Sequence, residues 1–172
     1  MASCILNLKE KNLNGHLRLS TGFAKQTNPL VLGCYTFIWL GATKLWEIDL
    51  VPHTIGENTI FSLSPGQTLS IPNKTNDYVV IQFNREFYCV QDHDQEVSCN
   101  GILFNGALST PMLRLDADEQ RSFNVLLEVI KEEFANEDDV QLEMLRTVLK
   151  RFIIKCTRLA EPTIRRYVYF AS

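Results

Sequence analysis

The feature that most constrains the fold is a series of short apolar segments, separated by turn residues, in the middle of the chain. Ile60 to Leu63 forms the first segment, and Pro65-Gly66 turns the chain after it. A second segment surrounds Leu69 and ends at Pro72, and Tyr78 to Phe83 forms a third. Short segments rich in β-branched and aromatic residues, punctuated by proline and glycine, are typical of antiparallel β-structure. The series therefore predicts a β-sandwich or a β-barrel.

The preceding segment, Leu30 to Leu40, is apolar on both faces of the strand that it predicts. Alternation along a strand places Tyr35, Phe37 and Trp39 on one face and Ile38 on the other. We expect this strand to be buried on both sides or to line a cavity.

The next segment, Thr43 to Val51, alternates between apolar and acidic residues. Its apolar face carries Trp46, Ile48 and Leu50. The opposite face carries Glu47 and Asp49. This pattern predicts a strand with one buried and one solvated face.

The central turn and the strand after it resemble part of a known family. Ser64-Pro65-Gly66-Gln67 follows Phe61 and Leu63, and the strand Val79 to Phe83 is followed by Phe87. This pattern is similar to the sensor half of AraC/XylS-type transcriptional regulators.

The resemblance extends from about Thr36 to Leu159 and implies a fold. That fold is a cupin-like, jelly-roll antiparallel β-barrel followed by a two-helix dimerisation segment, so the protein would be mainly β with C-terminal helices. Residues 1–115 would form the barrel sensor region and residues 116–160 the helical dimerisation segment. Residues 161–172 would form a linker toward a DNA-binding domain that is absent from this chain.

A first helix is predicted after the barrel. Asp116 and Glu119 have the spacing of a capping box, with Asp in place of the usual Ser or Thr. Apolar residues then recur at helical spacing from Phe123 to Phe134. The acidic stretch 136–139 ends this helix.

A second helix is predicted from about Asp139 to Leu159, and Pro162 is expected to end it. Its apolar residues are alternately three and four positions apart, as in a coiled-coil seam. The seam consists of Leu142, Leu145, Leu149, Phe152, Cys156 and Leu159. It can pack against the barrel and first helix of its own chain or against a second copy. The resemblance favours a homodimer through this seam, because the matching helix is the usual dimer contact of AraC-type sensors.

A small-molecule pocket is expected inside the barrel. Its candidate ligand-binding residues are Tyr35, Phe37, Trp39, Glu47, Asp49 and Gln82. Aromatic walls with a few polar groups are typical of small-molecule sites. The alternative is that these aromatic side chains simply fill a small barrel. The effector itself is unknown.

No catalytic residues, metal ligands or cofactor are expected. The three histidines, His16, His53 and His93, include no H-x-H pair, and no nucleophile or phosphate-loop motif occurs. The cyclic-nucleotide-binding regulators hold the cyclic phosphate with a Gly-Glu step followed by an arginine at a helix N-terminus. This class is disfavoured, because Gly56-Glu57 is followed by no arginine until Arg85.

Charge and cysteine content limit the partners and the compartment. The net charge of −3 argues against nucleic-acid binding by this chain itself, so DNA would be contacted only through the absent C-terminal domain. Five cysteines without C-x-x-C spacing favour reduced thiols, although a redox pair of Cys89 and Cys99 is an alternative. No segment is apolar enough for a membrane span, and a cytoplasmic protein is expected.

Together these features predict a non-enzymatic domain. The expected function is effector sensing and dimerisation within an AraC-type bacterial transcriptional regulator. The alternative is a stand-alone cupin-like protein that binds a small molecule or a carbohydrate, or acts as an enzyme.

Overall fold

The computed structural model of this 172-residue chain describes residues 4–7, 15–23, 28–71, 77–89, 103–104 and 110–170, with the backbone alone at 4–7 and 162–170. Within these ranges the chain forms ten strands and two helices. The strands are β1 (Cys4–Asn7), β2 (His16–Thr21), β3 (Leu30–Val31), β4 (Tyr35–Leu40), β5 (Lys44–Ile48), β6 (Val51–Ile55), β7 (Thr59–Leu63), β8 (Thr68–Ser70), β9 (Tyr78–Phe83) and β10 (Met112–Arg114). The helices are α1 (Ala117–Phe134) and α2 (Gln141–Phe170).

The strands form two antiparallel sheets. The central sheet has six strands in the order β1-β2-β9-β4-β7-β10, and the second sheet has four in the order β3-β8-β5-β6. The prediction of a mainly β protein with C-terminal helices is confirmed. Within the described residues no strand pair joins the sheets, so they form two layers rather than the closed barrel that the resemblance implied.

The central sheet lies between two apolar cores. One core lies between the two sheets and includes Ile38, Trp46, Phe61 and Val80. The other lies between the central sheet and the helices. Strand β4 contributes to both, because alternate residues point to opposite faces. The prediction that this strand is buried on both sides is therefore confirmed.

Two strand boundaries differ from the predictions. The apolar segment from Leu30 to Leu40 is divided, because Leu32 leaves the strand direction and bonds to the central turn: its N–H donates to the Gln67 carbonyl at 2.9 Å, and its carbonyl accepts from Gly66 N–H at 2.8 Å. The strand predicted to reach Val51 ends at Ile48, and Leu50 is in the hairpin turn with 77% of its surface exposed. The prediction that Leu50 shares the buried face is wrong.

Helix α1 begins with the predicted capping box. The Asp116 carboxylate accepts from Glu119 N–H at 2.8 Å, and the Glu119 carboxylate accepts from Asp116 N–H at 2.7 Å. Helix α2 differs from its prediction, because it continues through Pro162 to Phe170. A proline removes one backbone donor, and here the helix still forms on both sides of it.

The seam of α2 packs within its own chain. Leu145, Leu149, Phe152 and Cys156 are fully buried in the core beneath the helices, and Leu142 and Leu159 pack at its edge. A second copy cannot contact the four buried side chains while α2 stays on the sheet. For these four residues the assignment to a dimer interface is therefore replaced by intramolecular packing against the sheet and α1, whereas for Leu142 and Leu159 it stays a prediction.

Neither helix in the described part of the chain combines the length and the apolar character that crossing a bilayer requires.

Candidate functional site

The central sheet separates the residues that were predicted to line one pocket. Tyr35, Phe37 and Trp39 point toward the helices. Phe37 is only 1% exposed, and its ring lies 5.1 Å from that of Phe152 and 5.0 Å from that of Phe104. Phe37 and Trp39 thus pack against helix residues, Tyr35 packs on Phe83 and Phe104, and none of the three faces the space between the sheets.

Glu47 and Asp49 lie on the outside of the second sheet, where both make structural hydrogen bonds. Glu47 accepts from the Ser70 hydroxyl at 3.0 Å. The Asp49 carboxylate accepts from Thr68 N–H at 2.7 Å and from the Gln67 amide at 2.8 Å. They join β5 to β8 and to the central turn.

Gln82, the remaining predicted residue, lies on the inner face of the central sheet, which is the face toward the second sheet. Register places it between Arg18 on β2 and Thr36 on β4. Its amide donates to the Thr36 hydroxyl at 3.3 Å. Arg18, Gln82 and Thr36 form a row of polar side chains across three neighbouring strands, called here the polar row.

The orientation of Arg18 follows from alternation along β2. Leu17 and Leu19 are buried in the core beneath the helices, so Arg18 points to the opposite, inner face. Thr36 shares that face because its neighbour Phe37 packs under the helices. The predicted pocket residues missed Arg18 and Thr36. The alternation of polar and apolar residues in His16-Leu17-Arg18-Leu19-Ser20 indicates a strand with Arg18 on the face opposite to the leucines.

The guanidinium of Arg18 is the exceptional group in the polar row. Its Nε is buried and has no hydrogen-bond partner within the described part of the chain. No described carboxylate forms an ion pair with it either. An unpaired buried donor costs about 1–3 kcal/mol, and more when it is charged. The inner face therefore presents a positive charge without an acceptor.

Two titratable groups lie at the same end of the inner face. Burial, together with the positive charge of Arg18, lowers the pKa of His16, so the imidazole is neutral at pH 7. Burial, together with the carboxylate of Glu86, raises the pKa of the Cys34 thiol. A protonated thiol is a weak nucleophile, so Cys34 is not poised for reaction.

The next row along the inner face is mostly apolar. It contains Ser20, Val80, Ile38 and Phe61 on four consecutive strands. Trp46 from the second sheet packs on Phe61 with ring centroids 5.7 Å apart. Its indole Nε1 is buried and also lacks a partner among the residues described. Val80, Ile38 and Phe61 are fully buried, so the partly exposed side chains of the inner face are those of Arg18 and Gln82 in the polar row.

A cleft lies elsewhere, between the turn after β9 and α2. It has a volume of about 550 Å³ and is lined by residues 85–89 and by one face of the first half of α2. Arg146 already has partners here: its Nε donates to the Phe87 carbonyl at 2.9 Å, and Nη1 lies 3.9 Å from the Glu143 carboxylate. This arginine attaches α2 to the turn after β9, which is a structural role.

Metal and redox chemistry have little support from the described residues. Within them, no group of three His, Cys, Asp or Glu side chains is arranged to hold a metal ion. Cys34, Cys89 and Cys156 are free thiols. Cys99, which the redox alternative requires, and His93 lie outside the described residues.

No protein-family model matches this sequence, and a search of curated proteins finds no significant match.

Proposed function

We propose that this chain is the effector-sensing and dimerisation region of an AraC-type bacterial transcriptional regulator. The observation that carries the proposal is the layer order: two antiparallel sheets, with two consecutive C-terminal helices on the outer face of one of them. In such a regulator, a helix-turn-helix domain C-terminal to this region contacts DNA. The chain binds a small molecule and carries out no reaction on it.

The strand order supports a cupin-like jelly roll. Strands β2 to β9 divide into β2-β9-β4-β7 in the central sheet and β3-β8-β5-β6 in the second. Two interlocked Greek keys produce this order when eight strands wrap around one core. Strands β1 and β10 then extend the central sheet at its two edges.

The residues that carry the family resemblance have structural roles consistent with it. Gly66 has φ of 91°, which favours glycine. Gln67 accepts from Ser64 N–H at 2.8 Å and donates to Asp49, so the motif fixes the β7–β8 corner. Phe87 is buried beneath the helices and its carbonyl accepts from Arg146. The motif thus connects both sheets and α2.

The central sheet supplies a physical connection between effector and helices. Arg18 and Gln82 face the second sheet, while Leu17 and Phe83, next to them on the same strands, pack under the helices. An effector on the inner face therefore acts on strands that hold α1 and α2. The effector shifts the helices only if it binds two different arrangements of the sheet and helices with different affinities.

A homodimer is part of the proposal, and it uses the outward face of α2 instead of the buried seam. This face carries Met144, Thr147, Arg151 and Arg158, and Val140 lies just before the first residue of the helix. Val140 and Met144 are 63% and 46% exposed. The N-terminal end of the face is acidic, with Asp139 and Glu143, and the middle is basic. Two α2 helices packed antiparallel would place opposite charges together.

Thermal unfolding with a library of small metabolites tests the sensing role. At least one compound is expected to raise the melting temperature of the wild-type chain and to have a smaller effect on Gln82→Leu. Glu47→Gln, on the outside of the second sheet, is the matched control and should respond like wild type. A library in which no compound distinguishes Gln82→Leu from Glu47→Gln would contradict sensing on the inner face.

The alternative is a stand-alone cupin-like protein that binds a small molecule or a carbohydrate, or acts as an enzyme. It would share the inner-face site but would need no DNA-binding domain. Product formation from a stabilising compound would favour the enzyme over the sensor.

A further inference from the structure

We propose that the effector is a small organic acid whose carboxylate pairs with the guanidinium of Arg18. The inference rests on the proposed function, since it takes the inner face of the central sheet as the sensing site. It adds the chemical class of the effector, and it names Arg18 as the residue that selects this class.

The geometry of the polar row supports an anion. Among the described residues, Arg18 Nε is buried and has no acceptor, and no carboxylate forms an ion pair with the guanidinium. Glu86, whose charge acts on Cys34 nearby, is exposed and is not within ion-pair distance of Arg18. A guanidinium with free donors binds a planar carboxylate through two parallel hydrogen bonds.

The charge at the site favours a carboxylate over a phosphate. Arg18 supplies one permanent positive charge, and His16 beside it is neutral because burial and Arg18 lower its pKa. A monoanion compensates this single charge. A phosphate dianion would leave one negative charge in a partly buried site without a partner, which is costly.

The surroundings limit the remainder of the acid. Gln82 lies directly across from Arg18, and its carbonyl oxygen can accept a hydrogen bond from an effector hydroxyl. The apolar row with Val80 and Ile38 begins two residues further along the strands, about 7 Å away at the rise of a β-strand. Because Val80 and Ile38 are fully buried in the core between the sheets, this row limits the length of the acid, and the matching molecule is a short monocarboxylic acid.

Matched pairs of acids and amides test this inference. Sodium acetate, butyrate and benzoate are compared with acetamide, butyramide and benzamide, and inorganic phosphate is included. At least one acid should raise the melting temperature of the wild-type chain, while its amide and phosphate should not. Arg18→Gln should abolish the shift, and Arg18→Lys should retain part of it. Arg121→Gln, an exposed arginine on α1, is the control and should respond like wild type.

The Arg18 Nε–H resonance in the wild-type NMR spectrum provides a second readout that needs no variant to fold. It should shift in proportion to the acid bound. If no acid moves this resonance, or if acid and amide act alike, the inference is wrong. Neutral compounds that stabilise the chain through Gln82 would then leave the sensing role intact. If no acid and no neutral compound has a smaller effect on the melting temperature of Gln82→Leu than on that of the wild-type chain, the proposed function fails as well.

Discussion

Asp49 and Leu50, two consecutive residues at the tip of the β5–β6 hairpin, have left-handed backbone conformations with φ of 50° and 67°. Positive φ at both central residues is typical of a type I′ turn, which matches the twist of the strands. Asp49 is held there by hydrogen bonds to Thr68 and Gln67. Leu50 is mostly exposed, so little packing offsets its strain.

Leu50→Gly is expected to stabilise the chain. A non-glycine residue in the left-handed region costs about 1–2 kcal/mol, which the substitution removes. The greater conformational entropy of glycine in the unfolded chain offsets about 0.5–1 kcal/mol of this stabilisation. The free energy of unfolding in urea should therefore rise by about 0.5–1 kcal/mol. Leu45→Gly, within the exposed face of β5, is the control and should destabilise. A loss of stability in Leu50→Gly would mean that its side chain makes contacts in solution.

His16 should make stability depend on pH. Its folded pKa lies below the ordinary value of 6.5, so the unfolded chain takes up a proton first. The free energy of unfolding should therefore fall as the pH decreases from about 6.5 through the lower folded-state pKa, and should be constant above that window as far as His16 is concerned. His16→Gln should lose this part of the decline.

The cause of that pKa can be tested separately. Arg18→Gln should raise the His16 pKa toward its ordinary value, measured by NMR titration of the imidazole ring. An unchanged His16 pKa would show that the Arg18 charge does not reach it.

At the scale of elements, α1 and α2 are fixed by different interactions. Helix α1 depends on its capping box and on a buried stripe that includes Phe123, Leu127 and Ile130. Helix α2 is fixed by a wide apolar face, and Thr157 and Ala160 are buried with it. The rings of Phe123 and Phe152 meet edge to face at 4.9 Å and join the two helices.

Asp116→Ala should destabilise the chain by about 1 kcal/mol, within the usual range for loss of an N-cap. The change leaves the Glu119 N–H without its side-chain acceptor, whereas the N–H of residue 116 keeps its bond to the Glu119 carboxylate. Asp118→Ala is the control, because its exposed pair with Arg121 contributes little. Chemical denaturation measures both, and equal effects would contradict the capping role.

Opposite faces of α2 should respond differently to substitution. Leu149→Asp places a carboxylate in the core and should prevent folding. Arg158→Glu should keep the fold and weaken the dimer about tenfold or more in sedimentation, because it places like charges together. The charge swap Asp139→Arg with Arg158→Glu should restore the dimer. A wild-type chain that is monomeric at all concentrations would contradict the dimer proposal.

Alternation and helical spacing predicted which residues share a face, but not which layer covers that face. Tyr35, Phe37 and Trp39 do lie on one side of β4, yet they face the helices and not a pocket. The α2 seam is likewise a single buried stripe, and its spacing is the same whether a sheet or a second copy covers it. Leu50 has a positive φ although it is not a glycine. The sequence therefore contains no turn residue at this position that would predict the end of β5.

At the scale of the whole molecule, the central sheet has two functions. Its outer face holds the helices through an aromatic core, and its inner face carries the polar row. Register places Gln82 directly between Arg18 and Thr36, next to residues that contact the helices. We therefore propose that one sheet binds an effector on one side and positions a dimerising helix on the other.

The most direct test of the regulator is the sequence of the gene beyond the codon for Ser172. If the proposed function is correct, we expect the reading frame to continue for roughly a hundred residues, with a basic balance and two helix-turn-helix patterns, which is the size of a DNA-binding domain. A stop codon immediately after Ser172 would contradict the regulator. The inner-face site would then belong to a stand-alone binding protein or enzyme.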